Sequence, residues 1–137
     1  MNNGVDGDSN SKKIKILIAE DNEINQKVLK AILDKSPFNY EIVADGTEAT
    51  QFNSQNNYDL ILMDCQMPNK DGFEATRDIR QFESTNNKKR CPIVAITANT
   101  MHGDKDKCLA AGMDDFLSKP FKSHQIIDMI NKWTVAS

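Results

Sequence analysis

The sequence of 137 residues has no long hydrophobic run, few cysteines and only a small excess of negative charge. No apolar stretch approaches the roughly 20 residues of a membrane-spanning helix, and the start does not resemble a signal peptide. We therefore expect no membrane contact from this segment. The formal net charge of −3 provides no strong attraction for nucleic acid, so nucleic acid is not an expected partner.

The cysteines exclude two further classes of protein. There are three, Cys65, Cys91 and Cys108, and they are odd in number and widely separated. They match neither a disulfide framework nor the ligand spacing of a zinc site. This pattern favours a reducing, cytoplasmic location, and we interpret Cys65 as a buried structural thiol rather than a redox sensor.

The length and composition indicate one globular domain. Hydrophobic residues make up 39% of the chain and charged residues 27%, as in soluble proteins with an ordinary core. Residues 1–12 are mostly Asn, Gly, Asp and Ser, and we predict a disordered tail or linker there. The predicted domain covers residues 13–135.

Short apolar segments alternate with amphipathic ones along this domain. The predicted strands are 14–19, 40–44, 60–63, 93–97 and 115–118. The predicted helices are 22–35, 46–55, 72–82, 101–111 and 123–133. Strands that are continuously apolar are covered on both faces, which favours a parallel sheet. The sequence therefore predicts an α/β fold of the doubly wound type, with five parallel strands and five helices.

Several residues mark where the predicted helices begin and end. Asn22 and Ser123 are expected N-caps, and Gly112 is suited to follow the end of a helix. Asp45-Gly46 is interpreted as a turn alone. On the first helix, Ile24, Val28, Ala31, Ile32 and Leu33 fall on one helical stripe, which we expect to be buried except for Ile24.

Polar groups follow four of the five predicted strands. Glu20 and Asp21 follow the first, Asp64 the third and Lys119 the fifth, while Thr97 ends the fourth. An acid after a strand is commonly only a helix cap, but the carboxyl ends of parallel strands share one edge of the sheet. We therefore expect these side chains to form a single site.

Three carboxylates at one edge need a counter-charge to remain ionised together. Mg²⁺ prefers oxygen ligands and retains waters that a phosphate can displace. A carboxylate beside such an ion can attack phosphorus, and a lysine and a hydroxyl can hold the phosphoryl oxygens. The residues alone therefore indicate a Mg²⁺-dependent phosphoacceptor.

Four segments resemble the receiver domain of two-component response regulators. They are ILIAEDN at 16–22, DLILMDCQMPNKDGFEATRDIR at 59–80, PIVAITA at 92–98 and GMDDFLSKP at 112–120. The sequence of the second segment is most similar to those of receivers attached to hybrid histidine kinases. The resemblance implies a doubly wound (βα)5 flavodoxin-like sandwich whose five-stranded parallel sheet has the order 2-1-3-4-5. It also implies a domain that takes a phosphoryl group from a phosphohistidine, as a signalling switch or a phosphorelay intermediate.

The resemblance also implies roles for the site residues. Asp64 is the phosphoacceptor, and Thr97 and Lys119 hold the phosphoryl oxygens. Mg²⁺, for which Mn²⁺ is expected to substitute, is bound by Asp21, by Glu20 through water, by Asp64 and by the main-chain carbonyl of Gln66. We expect the domain to catalyse its own phosphotransfer and autodephosphorylation, and we expect no separate small-molecule substrate.

Further positions follow from the same resemblance. Ala98 leaves room for the phosphoryl group, Phe116 with Thr97 forms the conformational switch, and Lys119-Pro120 is often cis. We expect Gln66 and Asn99 to tune the lifetime of the acyl phosphate. The expected partner is a histidine kinase or a histidine phosphotransfer protein, docked near Ile24 on the first helix with Pro68 and Pro120 on nearby loops.

Two other functions use the same architecture. A flavin- or nucleotide-binding protein needs a glycine-rich or hydroxyl-rich loop after the first strand, whereas this loop is AEDNEIN. A phosphorylation-independent interaction module is expected to have lost an acid, the threonine or the lysine, and none is lost. His102 and His124 are interpreted as surface or capping residues, so the donor histidine belongs to another molecule.

Overall fold

The computed structural model describes residues 14–98 and 104–134. The predicted tail, the start of the predicted fourth helix, Asn99 and His102 lie outside these residues. Within them, no helix combines the length and the apolar character that are needed to cross a membrane.

Five parallel strands form one sheet in the described residues. They are β1 (Lys15–Ala19), β2 (Asn39–Val43), β3 (Leu60–Asp64), β4 (Ile93–Thr97) and β5 (Asp115–Ser118). The order across the sheet is β2-β1-β3-β4-β5, which confirms the predicted doubly wound topology. The register aligns Ala19 of β1 with Met63 of β3, and Asp64 with Ile96 of β4, so the strands end at nearly the same level.

Each strand is followed by a helix. The helices are α1 (Glu23–Asp34), α2 (Gly46–Gln55), α3 (Gly72–Thr85), α4 (Asp104–Ala111) and α5 (Ser123–Thr134). The end of α3 was predicted at Phe82, three residues too early. Glu83 is buried and pairs with Arg80 one turn earlier, so the helix continues to Thr85.

The core has two layers, one on each face of the sheet. Successive strand residues point to opposite faces, so Leu17 and Ile61 lie in one layer while Ile16 and Leu62 lie in the other. The first layer packs against α2, α3 and α4, and the second against α1 and α5. Because both faces are covered, the strands need not alternate apolar with polar residues.

The prediction for α1 is confirmed at Ile24, which was expected to be exposed, and is wrong at Val28 and Ala31, which are exposed as well. Leu29 and Leu33 are the fully buried residues of this helix, whereas Ile24 is 71% exposed and Val28 is 45% exposed. Leu29 and Leu33 lie one turn apart and face the sheet, and a step of five residues places Ile24 on another face. This helix therefore presents apolar side chains to solvent.

The predicted helix signals have mixed outcomes. Asn22 caps α1 by accepting the Asn25 N–H at 3.0 Å, and Gly112 has a φ of 107°, so both predictions are confirmed. Asp45 is more than a turn residue, because its side chain caps α2 by accepting the Glu48 N–H at 2.8 Å. Ser123 is the first residue of α5 and not its cap. Lys122 directly precedes the helix, and its N–H donates to the Gln125 side chain at 2.6 Å.

Candidate functional site

The carboxyl edge of the sheet brings the predicted site residues together. Asp64 and Thr97 are the last residues of β3 and β4, and Glu20 and Lys119 directly follow β1 and β5. One cleft of about 200 Å³ is lined by Glu20, Asp21, Asn22, Asn25, Asp64, Cys65, Gln66, Thr97, Ala98 and Lys119. The strands β1, β3 and β4, which lead to Glu20, Asp64 and Thr97, are buried along nearly their whole length, so the sheet fixes the backbone at these three residues.

Among the described residues, a single ammonium group faces three carboxylates in this cleft. The Lys119 Nζ lies 3.1 Å from Asp64 Oδ2 and 3.3 Å from Glu20 Oε1. Oxygen atoms of Glu20, Asp21 and Asp64 all lie within 4.8 Å of one another. The cluster therefore carries an excess of negative charge.

The three acids differ in burial and in hydrogen bonding. Glu20 is 1% exposed, and its Oε2 accepts the Asn22 N–H at 3.0 Å. Its buried Oε1 makes no hydrogen bond, although it forms the ion pair with Lys119. Asp64 is also buried and accepts the Gln66 N–H at 3.2 Å, whereas Asp21 is exposed at the mouth of the cleft.

The electrostatics of the cluster shift two pKa values. Burial raises the pKa of Glu20, the N–H of Asn22 opposes this effect, and the nearby Asp64 charge adds to it. Burial alone would lower the pKa of Lys119, but the hydrogen bond to Asp64 and the charges of Asp64 and Glu20 outweigh burial and raise it. Lys119 therefore remains a cation that partly neutralises the acids.

The donor set of the cleft suits a hard divalent cation. It consists of carboxylate oxygens, one of which is buried without a hydrogen bond, and one acid is open to solvent. Mg²⁺ is typically bound by one or two carboxylates and keeps several waters, which an open cleft accommodates. Among the described residues, the candidate metal ligands are all carboxylates, without the cysteine or histidine that is typical of zinc sites.

The remaining predicted positions surround the acids. Thr97 is 5% exposed, and its carbonyl accepts the Lys119 N–H at 2.8 Å. Gln66 and Ala98 are exposed on the rim of the cleft. Phe116 is half-buried on β5, with the Lys105 Nζ 5.6 Å from the centre of its ring. The Lys119-Pro120 bond is cis, and Asn99 lies outside the described residues.

Two polar residues of the first turns of α1 were missed as parts of the site. Asn25 lines the cleft, and Gln26 Nε2 donates to the main-chain carbonyl of Glu20 at 2.6 Å. They lie four and five positions after Asp21 in the sequence AEDNEINQ. An amide side chain on the helix turn nearest to a site is a signal that could have been used.

The cysteines are buried, as expected for structural thiols. Cys65 is 4% exposed, with its Sγ 3.9 Å from that of Cys108. Burial raises the pKa of the Cys91 thiol to about 12, with a contribution from the charge of Glu83. Cys91 therefore stays protonated at neutral pH. His124 is exposed in the first turn of α5, away from the group of acids.

Comparison with known proteins decides the family. The model of the response regulator receiver domain matches residues 16–131. The chain belongs to the receiver domain family. Hybrid signal transduction histidine kinase B of Dictyostelium discoideum is 47% identical to this receiver domain over 132 residues, which cover 89% of this chain.

Solved structures share the fold. The receiver domain of sensor histidine kinase PA1611 from Pseudomonas aeruginosa PAO1, which has a magnesium ion in its active site cleft, has a TM-score of 0.82 at 42% identity. That match covers 90% of this chain and 99% of the other. The co-crystal structure of the Saccharomyces cerevisiae phosphotransfer protein Ypd1 and the receiver domain of Ssk1 gives a TM-score of 0.86 at 37% identity, covering 90% of each chain.

The curated relatives are much longer than this chain. The matched region covers 7% of hybrid kinase B and 7% of hybrid kinase I of Dictyostelium discoideum. In those proteins the receiver domain is thus a small part of a hybrid histidine kinase.

Proposed function

We propose that this receiver domain accepts a phosphoryl group from a phosphohistidine onto Asp64 in a Mg²⁺-dependent reaction. The domain extends over residues 13–135, works in the cytoplasm, and acts as a signalling switch or a phosphorelay intermediate. One observation gives the proposal its main support. The Asp64 carboxylate stands at the end of a buried strand, 3.1 Å from the Lys119 Nζ and within 4.8 Å of two further acids.

The position of Asp64 supports the role of acceptor. Its main chain is fixed by the sheet, and the Gln66 N–H and Lys119 Nζ hold one carboxylate oxygen each. Fixing a nucleophile in this way lowers the entropic cost of reaching the reactive geometry. Phosphoryl transfer depends mainly on such positioning and on neutralisation of charge.

The acids and one carbonyl supply a metal site. Glu20, Asp21, Asp64 and the main-chain carbonyl of Gln66 would hold Mg²⁺, with Glu20 acting through water. When bound, the ion supplies positive charge to the acids and to the phosphoryl oxygens. Mn²⁺ accepts the same oxygen ligands and would substitute for it.

Lys119 and Thr97 serve the transferred group. As the bond between phosphorus and the donor histidine nitrogen breaks, a bond forms to an Asp64 oxygen, and the imidazole leaves. The Lys119 ammonium and the Thr97 hydroxyl then bind phosphoryl oxygens. The movement of Thr97 allows Phe116, now half-buried, to turn inward, which couples the phosphoryl group to the surface of α4, β5 and α5.

The partner docks beside the cleft. Ile24 and Val28 are exposed apolar residues on α1, and Pro68 and Pro120 are exposed on nearby loops. Exposed apolar side chains near a reaction site fit a protein surface such as that of a histidine kinase or a histidine phosphotransfer protein. The yeast structure pairs a similar receiver domain with a phosphotransfer protein.

Phosphotransfer from a phosphorylated histidine phosphotransfer protein tests the proposal. The wild-type domain should gain one phosphoryl group in the presence of Mg²⁺, and Asp64→Asn should gain none. Asp128→Asn, an exposed acid on α5, is the matched control and should react like the wild type. Equal labelling of Asp64→Asn would disprove the acceptor assignment. Failure of the wild type to bind beryllofluoride with Mg²⁺ would indicate the phosphorylation-independent module instead.

Gln66 and Asn99 set the lifetime of the acyl phosphate in this proposal. Gln66 is exposed at the rim of the cleft, where its side chain can control the approach of water to Asp64. Substitution of both amides by alanine should change the dephosphorylation rate. An unchanged rate would remove this role.

A further inference from the structure

Of the three acids in the cleft, Asp21 is the one whose carboxylate is held by the fewest contacts. It is exposed, and no hydrogen bond or ion pair to its carboxylate is found in residues 14–98 and 104–134. Glu20 and Asp64, in contrast, are buried and held by N–H groups and by Lys119. The place of the Asp21 carboxylate is therefore set by its main chain.

The main chain before Asp21 is fixed on two sides. The Glu20 N–H donates to the Val43 carbonyl of the edge strand β2 at 3.0 Å. The Glu20 carbonyl accepts the Gln26 Nε2 at 2.6 Å, across six positions of the sequence. This carbonyl belongs to the same planar peptide group as the Asp21 nitrogen, so the Gln26 bond orients the peptide that carries Asp21.

The Gln26 bond is separate from the capping of α1. The Asn22 side chain caps the helix through the Asn25 N–H, and the Gln26 N–H bonds to the Asn22 carbonyl as in any helix. The Gln26 side chain points back toward the helix start, as helical side chains do, and reaches a carbonyl that lies before the helix. The helix does not need this contact in order to form, so another role accounts for it better.

We propose that Gln26 is a positioning residue for the cation site, and that it raises the affinity for Mg²⁺ by fixing the peptide that presents Asp21. This inference rests on the proposed function, because it assumes that Mg²⁺ binds at Glu20, Asp21 and Asp64. Groups that orient metal ligands commonly change metal affinity by about 10- to 100-fold when removed. Gln26 has no direct contact with the ion in this scheme.

Calorimetric titration of the full chain with MgCl₂ tests the inference. Gln26→Met keeps the length and the helix propensity of the side chain but removes the donor. We expect the Kd for Mg²⁺ to rise about ten-fold. Gln51→Met, the same substitution on the exposed face of α2, is the matched control and should leave the Kd unchanged.

A second readout separates positioning from damage to the fold. At saturating Mg²⁺ the rate of phosphorylation by acetyl phosphate should return to within about two-fold of wild type, because excess ion compensates for weak binding. The urea midpoint without Mg²⁺ should change little. An unchanged Kd in Gln26→Met would overturn the inference, as would a rate that saturating Mg²⁺ does not restore. Absence of Mg²⁺ binding by the wild type would instead contradict the proposed function.

Discussion

Two clusters of charged side chains lie at opposite edges of the same sheet. At the carboxyl ends, Glu20, Asp21 and Asp64 face Lys119, the one cation there in the described part of the chain. At the amino ends of β4 and β5, Glu83 and Asp114 pair with Arg80 and Arg90. Two acids and two cations balance at that end, whereas three acids and one cation leave an excess of negative charge at the other.

Hydrogen bonding shows the same contrast. Both oxygens of Glu83 accept bonds from Arg80, and one also accepts the Cys91 N–H at 2.8 Å. Both oxygens of Asp114 are bonded as well, to the two arginines and to the Ile93 N–H. Glu20 leaves a buried oxygen without a hydrogen bond. The balanced cluster serves the fold, and the unbalanced one is suited to an added cation and an added phosphoryl group.

The largest expected effect comes from breaking the balanced cluster. Arg80→Met leaves Glu83 and Asp114 without their buried cation, which should lower the free energy of unfolding by about 3–5 kcal/mol. Arg77→Met, on the exposed face of the same helix, should cost no more than about 0.5 kcal/mol. Urea unfolding measures both. Equal losses in the two variants would show that the network does not stabilise the fold.

Mg²⁺ should stabilise the unbalanced cluster. At a free concentration of 100 times Kd, binding to the folded state alone adds about 2.7 kcal/mol to the free energy of unfolding. Urea unfolding with MgCl₂ or with EDTA measures the gain, which should be the same in Arg77→Met as in the wild type. Stability independent of Mg²⁺ would argue against a cation site.

Removal of one acid should weaken the site without weakening the fold. Asp21→Asn should reduce the affinity for Mg²⁺ about ten-fold or more, which is a loss of about 1.4 kcal/mol of binding free energy. Because Asp21 is exposed, the stability without Mg²⁺ should stay within about 0.5 kcal/mol of wild type. Asp106→Asn, an exposed acid on α4, should alter neither quantity. Unchanged affinity in Asp21→Asn would exclude it as a ligand.

The smallest effect concerns Asp115, a carboxylate at the start of β5 that forms an ion pair with Lys132. Burial alone would raise the pKa of Asp115, but bonds from Lys132, Trp133 and the Phe116 N–H outweigh burial and lower it. A lowered folded-state pKa stabilises the fold above the ordinary value of about 3.9 and loses this effect as the pH falls through the lowered pKa. Asp115→Asn should therefore cost less than about 1 kcal/mol at pH 7.

Urea midpoints at neutral and acid pH test the Asp115 prediction. The difference in urea midpoint between wild type and Asp115→Asn should disappear once the pH falls below the folded-state pKa of Asp115. A gap that is independent of pH would show that the packing of the side chain, and not its charge, stabilises the fold.

The sequence was sufficient to predict the strands and the carboxyl-edge residues. Strands covered on both faces are continuously apolar, and parallel strands end at one edge, so Asp64, Thr97 and Lys119 could be brought together without coordinates. Predictions that depended on which way a helix faces failed more often. Val28 fitted the predicted buried stripe, but it is 45% exposed because Leu29 and Leu33 determine the buried face of α1.

Contacts between distant residues were out of reach. Arg80 was placed correctly on a helix, yet its partner Asp114 lies 34 positions away, and only the packing of α3 against the β4 and β5 ends brings them together. Gln26 bonds to a carbonyl across six positions, where neither a helical nor a strand period indicates a contact. Pairs of this kind depend on tertiary geometry, which local patterns do not encode.

One measurement tests the central claim most directly. The domain is incubated with acetyl phosphate in MgCl₂ or in EDTA, and the modified residue is located by intact mass and peptide mapping. The proposal predicts one phosphoryl group, on Asp64, in MgCl₂ and none in EDTA. Equal labelling in EDTA, or a phosphoryl group on any other residue, would contradict the claim that the acidic cluster and its cation make Asp64 the acceptor.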